Sequence, residues 1–223
     1  VIWDQEENKY DLPSRFFVIG QGMIAPTLMA WTTPELCARY LPKLASGEEI
    51  WCQLFSEPAS GSDLAALRTK AEPDDDHWIL NGQKIWTSGA HYSDYGIIVT
   101  RTDPTVAKHR GLTMFIVDMR APGVEIKPIK QLTGDSDFNE VYFTDVRVPD
   151  SFRLGGVGEG WTVALTTLMN ERLAIGGGGP GADVALAMKI ASEVEVRGRP
   201  AIEDSAVRAK IADFQVLEAG LKY

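Results

Sequence analysis

The stretch Trp78-Ile79-Leu80-Asn81-Gly82-Gln83-Lys84-Ile85-Trp86-Thr87-Ser88-Gly89 sets the reading of the fold. Aromatic and aliphatic residues flank Asn81-Gly82, and Asn-Gly tolerates the positive φ of a two-residue type I′ turn, so the spacing predicts a β-hairpin there. From about Trp51 onward the texture is β-rich, with further short runs at 96–102, 112–118, 124–129 and 140–148, each bounded by Gly, Pro or Asp. The count nears seven or eight strands, which fits one antiparallel barrel or sandwich.

On both sides of this region the apolar period is helical. Arg15 to Ala30 is apolar with Gly20 and Gly22 as weak points, and Thr33 as N-cap with Pro34 behind it opens a second helix, expected to close before Pro42. After Pro149, Trp161, Leu165 and Leu168 form one stripe and Ala164, Leu168 and Ile175 the one beside it, with helix formers again from Ala182 to about Val196. The chain therefore reads as α+β: a helical N-terminal part (1–50), a central antiparallel β-barrel or sandwich (51–152) and a truncated C-terminal helical bundle (153–223). Ile211, Phe214, Leu217 and Leu221 keep helical spacing up to Tyr223 without a stop signal, so the sequence is expected to be a piece of a longer chain.

Charge and composition exclude several functions. Among 223 residues, 22 Lys and Arg stand against 31 Asp and Glu, a net charge of -9 with no basic stripe, which argues against general affinity for nucleic acid or anionic membranes. No run approaches the ~18 apolar residues of a membrane span. Cys37, Cys52 and the three His lack the spacing of a disulfide framework or a metal site, and a reducing cytoplasm is the expected home. Asp135-Ser136-Asp137-Phe138-Asn139 begins like a calcium loop, but Glu140 stands where Gly is required, so a solvated turn is expected and no metal. Asp74-Asp75-Asp76 reads as a hairpin tip or exposed loop. Gly176, Gly178 and Gly181 satisfy Gly-x-Gly-x-x-Gly, yet they follow a helical pattern and enclose Pro180, so a kink or break is expected instead of a nucleotide fingerprint.

Three places could carry chemistry. Glu57-Pro58-Ala59-Ser60-Gly61-Ser62-Asp63 joins small side chains to a helical turn opening at Ser62 or Asp63, which suits an anion such as a pyrophosphate, or forms an ordinary loop with an N-cap. Trp86-Thr87-Ser88 puts a flat ring beside two hydroxyls at a strand end, either lining an aromatic ligand or filling the core. Glu171 continues the Ala164, Leu168, Ile175 stripe and Arg172 the Trp161, Leu165, Leu168 stripe, so both border faces expected to pack inward. A desolvated carboxylate there suits a general base, and the other reading pairs both charges with neighbouring helices.

In this order the segments resemble the acyl-CoA dehydrogenase family. The matching stretches are Trp51-Cys52-Gln53-Leu54-Phe55-Ser56-Glu57-Pro58-Ala59-Ser60-Gly61-Ser62-Asp63-Leu64; Asn81 to Gly89; Phe138-Asn139-Glu140-Val141-Tyr142-Phe143 through Val146-Arg147-Val148-Pro149; and Gly158-Glu159-Gly160-Trp161 leading to Glu171-Arg172-Leu173. The resemblance covers essentially the whole chain. It implies two helical bundles around a central β-domain, in agreement with the helix, sheet, helix order. It also implies FAD, bordered by Gln53, Leu54, Phe55, Ser56 and Ser62, with Ser62 near the pyrophosphate and the bound acyl-CoA. Trp86 and Ser88, with Thr87 between them, would flank the isoalloxazine, Ser88 reaching toward N5.

The implied reaction removes the pro-R α-proton of an acyl-CoA thioester by a carboxylate as the β-hydrogen passes as hydride to flavin N5, giving a trans-2-enoyl-CoA. Electron-transfer flavoprotein then takes the electrons. In most members the catalytic Glu lies in C-terminal helices that this chain does not reach; in the isovaleryl and long-chain branches it precedes an Arg on the first helix after the β-domain. Glu171 before Arg172 matches that second placement, with Arg172 joining Ser62 on the substrate side. The family's Arg-x-x-Phe-Gly, whose Arg touches the FAD of a neighbouring subunit, is replaced by Arg197-Gly198-Arg199-Pro200-Ala201. The resemblance implies a homo-oligomer, dimer or tetramer, acting in fatty acid β-oxidation; the alternatives are an acyl-CoA oxidase on the same fold and a non-catalytic subunit of a hetero-oligomer.

Overall fold

The computed structural model describes Tyr10 and residues 16–176 and 184–222. A π-helical segment, Gly20–Ile24, runs directly into α1 (Ala25–Trp31). Thr33 then caps α2 (Pro34–Ser46): its hydroxyl accepts from the Leu36 amide at 3.4 Å, Pro34 sits in the first turn, and Gly47 ends the helix in the left-handed region at φ 77°. The sequence pattern closes this helix before Pro42; the structure carries it through. Proline removes only the bond to the carbonyl four residues back, while Tyr40 and Leu44, one turn apart, are both buried in the core and hold the helix on course.

Eight strands follow: β1 (Trp51–Leu54), β2 (Lys70–Asp74), β3 (His77–Ser88), β4 (Tyr95–Arg101), β5 (Leu112–Asp118), β6 (Val124–Ile129), β7 (Phe138–Pro149) and β8 (Arg153–Leu154). They form one sheet in the order β6-β7-β3-β2-β4-β5-β8, with β1 added on β4. Two expectations are corrected here. The sheet is mixed, because β1 and β2 each pair with β4 in parallel while the remaining pairings are antiparallel. The β2–β3 hairpin intervenes between β1 and β4 and returns the chain to the same direction.

The second correction concerns Asn81-Gly82, where no turn forms. β3 runs unbroken through it, and the hairpin tip lies at Asp75-Asp76, between the paired Asp74 and His77, with Asp75 at φ 53°. Asn81 instead binds a bulge in the neighbouring strand: its amide donates to Asp145 Oδ1 and its Oδ1 accepts from the Asp145 amide, both at 3.0 Å. Gly82 is needed at φ 153° for a different reason, since a Cβ there would come within 2.7 Å of Thr69 Cα as β2 approaches.

β4 and β5 are buried on both faces, so their sequences read as continuous apolar runs. Ile97, Val99, Leu112, Met114 and Ile116 face one core with Ile24, Leu28, Tyr40 and Leu44 of the helices; Ile98, Phe115 and Val117 face a second with Trp78, Leu80, Val141 and Phe143 of β3 and β7. The sheet thus curls on one side around its own core and carries helices on the other. α3 (Gly160–Gly176) joins the helical side: the Thr27 and Thr167 hydroxyls meet at 2.9 Å, and Trp31 Nε1 donates to Thr166 Oγ1 at 2.9 Å.

The chain divides into two compact units, Val1–Ala174 and Ile175–Tyr223. Taken by itself, the second holds α4 (Val184–Glu193), the short strands β9 (Glu195–Val196) and β10 (Arg199–Pro200), and α5 (Ser205–Lys222). Arg197 and Gly198 link β9 to β10 with φ of 55° and 75°, the left-handed pair of a two-residue hairpin. The glycine run ending at Gly181 lies, beyond Gly176, outside the described residues. Among the described residues no helix is long and apolar enough to cross a membrane.

Candidate functional site

The C-terminal end of β3 is distorted. Lys84 pairs with Val141 and Thr87 with Asn139, so Ile85 and Trp86 together oppose Glu140 in a bulge. Trp86 occupies the left-handed region at φ 60°, a conformation costly for a bulky side chain, and its indole is 58% exposed, edge-on to Phe138 with centroids 6.2 Å apart. Thr87 points inward, is buried, and its Oγ1 has no hydrogen-bond partner among the described residues. Ser88, half-buried, pairs with Phe138, and the strand ends at Gly89, in the left-handed region with Tyr92 packed where a Cβ would stand. An exposed flat ring, held in a strained conformation beside an orphaned hydroxyl, fits a planar heteroaromatic ligand with polar edges.

The segment after β1 lies against this end of β3. The Ile85 amide donates to the Ser56 carbonyl at 2.9 Å, and Lys84 Nζ donates to the Phe55 carbonyl and to Glu57 Oε1, each at 2.9 Å. The structure therefore ties Phe55 and Ser56 to Lys84 and Ile85, the residues just before Trp86, Thr87 and Ser88, while Gln53 and Leu54 pair with Ile97 and Ile98 of β4. The Leu54 and Phe55 side chains are engaged in the two cores, whereas Gln53 and Ser56 are half-buried.

Lys84 and Glu57 form a buried ion pair that the sequence motifs do not announce. Glu57 also accepts from the Arg68 amide at 2.7 Å and the Thr69 amide at 2.9 Å, tying three segments together. Burial pushes the Lys84 ammonium down to about 8 against the pull of Glu57; burial opposes ionisation of Glu57 too, but the Lys84 charge and the bonds from Thr69, Lys84 and Arg68 hold its carboxyl below the usual range. Strand parity is the one signal of it: Lys84 shares the inward parity of Trp78 and Leu80. Asn139, on the inward parity of Val141 and Phe143, stands in a quoted stretch without a role assigned to it; its Nδ2 donates to the Thr87 carbonyl at 2.9 Å and its Oδ1 meets His91 Nδ1 at 3.0 Å.

Of the two readings of the loop 57–63, the anion cradle relies on a helical positive end that the structure lacks. Glu57 and Ser60 exchange backbone bonds around Pro58-Ala59, and the helix that follows is a three-residue 3-10 turn, Leu64–Ala66, too short to contribute a positive end. Ser62 is exposed, Gly61 has open space around it, and Asp63 pairs with Lys108 at 2.7 Å. Arg101 pins the turn through the carbonyls of Ala65, Leu67 and Lys108. Beside it opens a cleft of about 550 Å³ walled by Leu67, Lys70, Arg101, Thr102, Val106 and Lys108.

Glu171 and Arg172 part company. The inward stripe of α3 runs through Val163, Ala164 and Thr167 and continues to Glu171, which is half-buried with Oε2 shielded from solvent and without a hydrogen-bond partner among the described residues. Arg172 lies on the exposed face with Leu165 and Met169, contrary to the inward placement read from the sequence; the turn of the helix puts it about 100° from Glu171. The contacts of this stretch are with the N-terminal helices, Ala174 packing where a Cβ on Gly22 would stand. Among the described residues no hydrogen bond joins Glu171 to Trp86, Thr87 or Ser88.

Comparison with known proteins agrees with this architecture. The profile for "Acyl-CoA dehydrogenase, middle domain" matches residues 52–146 and that for "Acyl-CoA dehydrogenase, C-terminal domain" matches residues 158–223. The chain belongs to the acyl-CoA dehydrogenase family, whose members are FAD-dependent flavoproteins. Among its relatives, acyl-CoA dehydrogenase FadE34 of Mycobacterium tuberculosis is 50% identical over 175 residues, 78% of this chain and 24% of that protein. The ChsE4-ChsE5 complex of the same organism has a matching chain at TM-score 0.81 and 33% identity, covering 99% of this chain and 57% of that one. The Tcur3481-Tcur3483 steroid ACAD matches at TM-score 0.76 and 31% identity over 93% of this chain and 54% of that one. The chain thus spans between a quarter and about half of the proteins it resembles.

Proposed function

We propose that this chain forms the β-domain and adjoining helices of an FAD-dependent enzyme that desaturates an acyl-CoA thioester between its α and β carbons. The observation that carries the reading is the β3 bulge: Trp86 in the left-handed region with its ring exposed, next to Thr87, whose hydroxyl has no partner among the described residues, and following Lys84 and Ile85, which bind Phe55 and Ser56. When bound, FAD supplies the acceptor for the β-hydride. In this reading Trp86 and Ser88 would flank the flavin ring, with Thr87 between them, and Gln53, Leu54, Phe55 and Ser56 would border it. The division of the chain at residues 50 and 152 into helical, β and helical parts belongs to the same proposal.

Glu171 is the base we assign. Its Oε2 is shielded and has no hydrogen-bond partner among the described residues, which suits a base that takes the α-proton from a thioester as the double bond forms. Ser62 and Arg172 lie on the substrate side, and the cleft beside Arg101, with Lys70 and Lys108 at its walls, suits the phosphates of coenzyme A. Electron-transfer flavoprotein is the electron acceptor and the cytoplasm the site of action in this reading.

A bulky, steroid-derived acyl group is the substrate class supported by the likeness to a protein named a steroid ACAD. The replaced Arg-x-x-Phe-Gly, folded here into the Arg197-Gly198 hairpin, together with a relative known as a two-protein complex, supports assembly with a different subunit over the homo-oligomer. Anaerobic mixing of the flavin-loaded protein with steroid-acyl and straight-chain acyl-CoA thioesters tests the reading: bleaching by the former, faster than by the latter, is expected, and protein that binds no flavin overturns it. Rapid oxygen consumption during turnover would favour an oxidase.

A further inference from the structure

Resting on the flavin site proposed above, a further role falls to the buried pair behind it. Lys84 is fully buried, and a buried ion pair is poor as a stabiliser, because desolvation consumes much of the attraction and apolar residues in place of both partners would serve as well. What the pair does is geometric. One ammonium bonds the Phe55 carbonyl and Glu57 Oε1; Glu57 in turn takes the Arg68 and Thr69 amides. Lys84 is also the last residue in register before the bulge that throws Trp86 outward, and the next residue, Ile85, bonds the Ser56 carbonyl. The two segments assigned to the flavin, 53–56 and 86–88, are thus joined by this side chain together with the Ile85–Ser56 backbone bond.

We infer that Lys84 is the positioning residue of the flavin site, fixing through the Phe55 carbonyl and the Glu57 carboxylate the spacing between the 53–56 segment and Trp86–Ser88. It touches neither flavin nor substrate and takes part in no proton transfer. An apolar replacement can keep the fold but leaves the Phe55 carbonyl and the Glu57 oxygen without their donor, and the segment after β1 is then free to shift against the bulge.

The test uses Lys84→Met in the flavin-loaded protein, with three readouts: thermal midpoint, the visible absorption bands of the bound flavin, and the rate of flavin reduction by acyl-CoA. The inference expects a folded protein whose flavin bands are displaced from wild type and whose reduction rate falls at least tenfold. Wild-type bands and rate in folded Lys84→Met overturn it and leave the pair a packing element. Should Lys84→Met not fold, Glu57→Gln carries the same test, since it keeps a carbonyl acceptor while removing the charge that orders the ammonium. Displaced bands there support the inference and unchanged bands overturn it. Wild-type protein that holds no flavin at all overturns the functional reading itself, an outcome distinct from a normal flavin in the variants.

Discussion

Asn139 holds the Thr87 carbonyl through its side-chain amide at 2.9 Å, across the strand pair and one residue beyond the bulge that exposes Trp86. Asn139 is fully buried, and its other amide atom reaches His91. The strand end that carries the candidate site is thus fixed from behind by a side chain, in addition to the ladder. Replacing Asn139 with Ala removes a buried donor and acceptor together, and a loss of about 1–3 kcal/mol in urea unfolding is expected. A change below ~0.5 kcal/mol would show the anchor to be dispensable.

Trp86 should behave unlike a core tryptophan. Its left-handed backbone suits glycine, and its ring is largely in solvent, so Trp86→Gly is expected to alter the stability of the flavin-free protein by no more than ~1 kcal/mol, against the ~3–5 kcal/mol typical of emptying a core site. Flavin retention through gel filtration should fall in the same variant. A large loss of stability with normal retention would return the ring to a packing role.

At Gly61 the chain itself offers no obstacle to a side chain: nothing lies within 4 Å of the place a Cβ would take, and its φ is not in the glycine-favouring region. Gly61→Val is therefore expected to leave the unfolding midpoint nearly unchanged while weakening FAD or acyl-CoA binding, read by titration of the flavin bands. Unweakened binding of both ligands would remove the 59–62 loop from the site.

Glu171→Gln preserves size and hydrogen-bonding capacity and removes basicity. Stopped-flow reduction of the flavin by acyl-CoA should slow by about 10²–10⁴-fold, while binding and stability persist. A rate within a few-fold of wild type would move the base elsewhere.

Asp150 gives a pH dependence with a definite sign. Bonds from Arg153 and from Trp78 Nε1 hold its carboxyl down at about 2, below the ~3.9 of an unfolded aspartate. Because the folded value is the lower one, its stabilisation is complete above the unfolded value and fades as pH falls from ~4 toward 2. Asp150→Asn should flatten the fall of the unfolding midpoint across that window relative to wild type. Parallel curves for the two proteins would mean the carboxylate is not linked to folding.

How far the sequence discloses this molecule depends on what each signal reports. Leu112–Asp118 and Val124–Ile129 emerge with the bounds read from their patterns, since Gly and Pro punctuation and an apolar run report local geometry directly. Asn81-Gly82 misleads because the same residue pair that favours a turn also serves a bulge and a close strand approach; only the registers of β3 with β2 and β7 distinguish them. Pro42 misleads because burial of Tyr40 and Leu44 outweighs one lost bond. At the site, Trp86–Ser88 and Glu171 are legible as residue types in order, whereas Lys84, Glu57 and Asn139 act through partners 27 to 52 residues away and leave only strand parity as a trace.

The end strand β6 shows how the sheet avoids growing. It is the outermost member on its side, so one of its edges faces no partner within the sheet. Its sequence is Val124-Glu125-Ile126-Lys127-Pro128-Ile129: two opposite charges, paired with each other at 3.1 Å, followed by a proline that has no amide to offer. A strand from another molecule seeking to zip along this edge would meet a missing donor at Pro128 and would have to bury or displace the Glu125–Lys127 pair. Exchanging Lys127-Pro128 for two β-branched residues would leave the fold's own ladder to β7 intact and open the protein to edge-to-edge polymerisation, so resistance to fibril formation is written into a six-residue strand whose last pairs, Pro128 with Asn139 and Ile129 with Phe138, adjoin the candidate site.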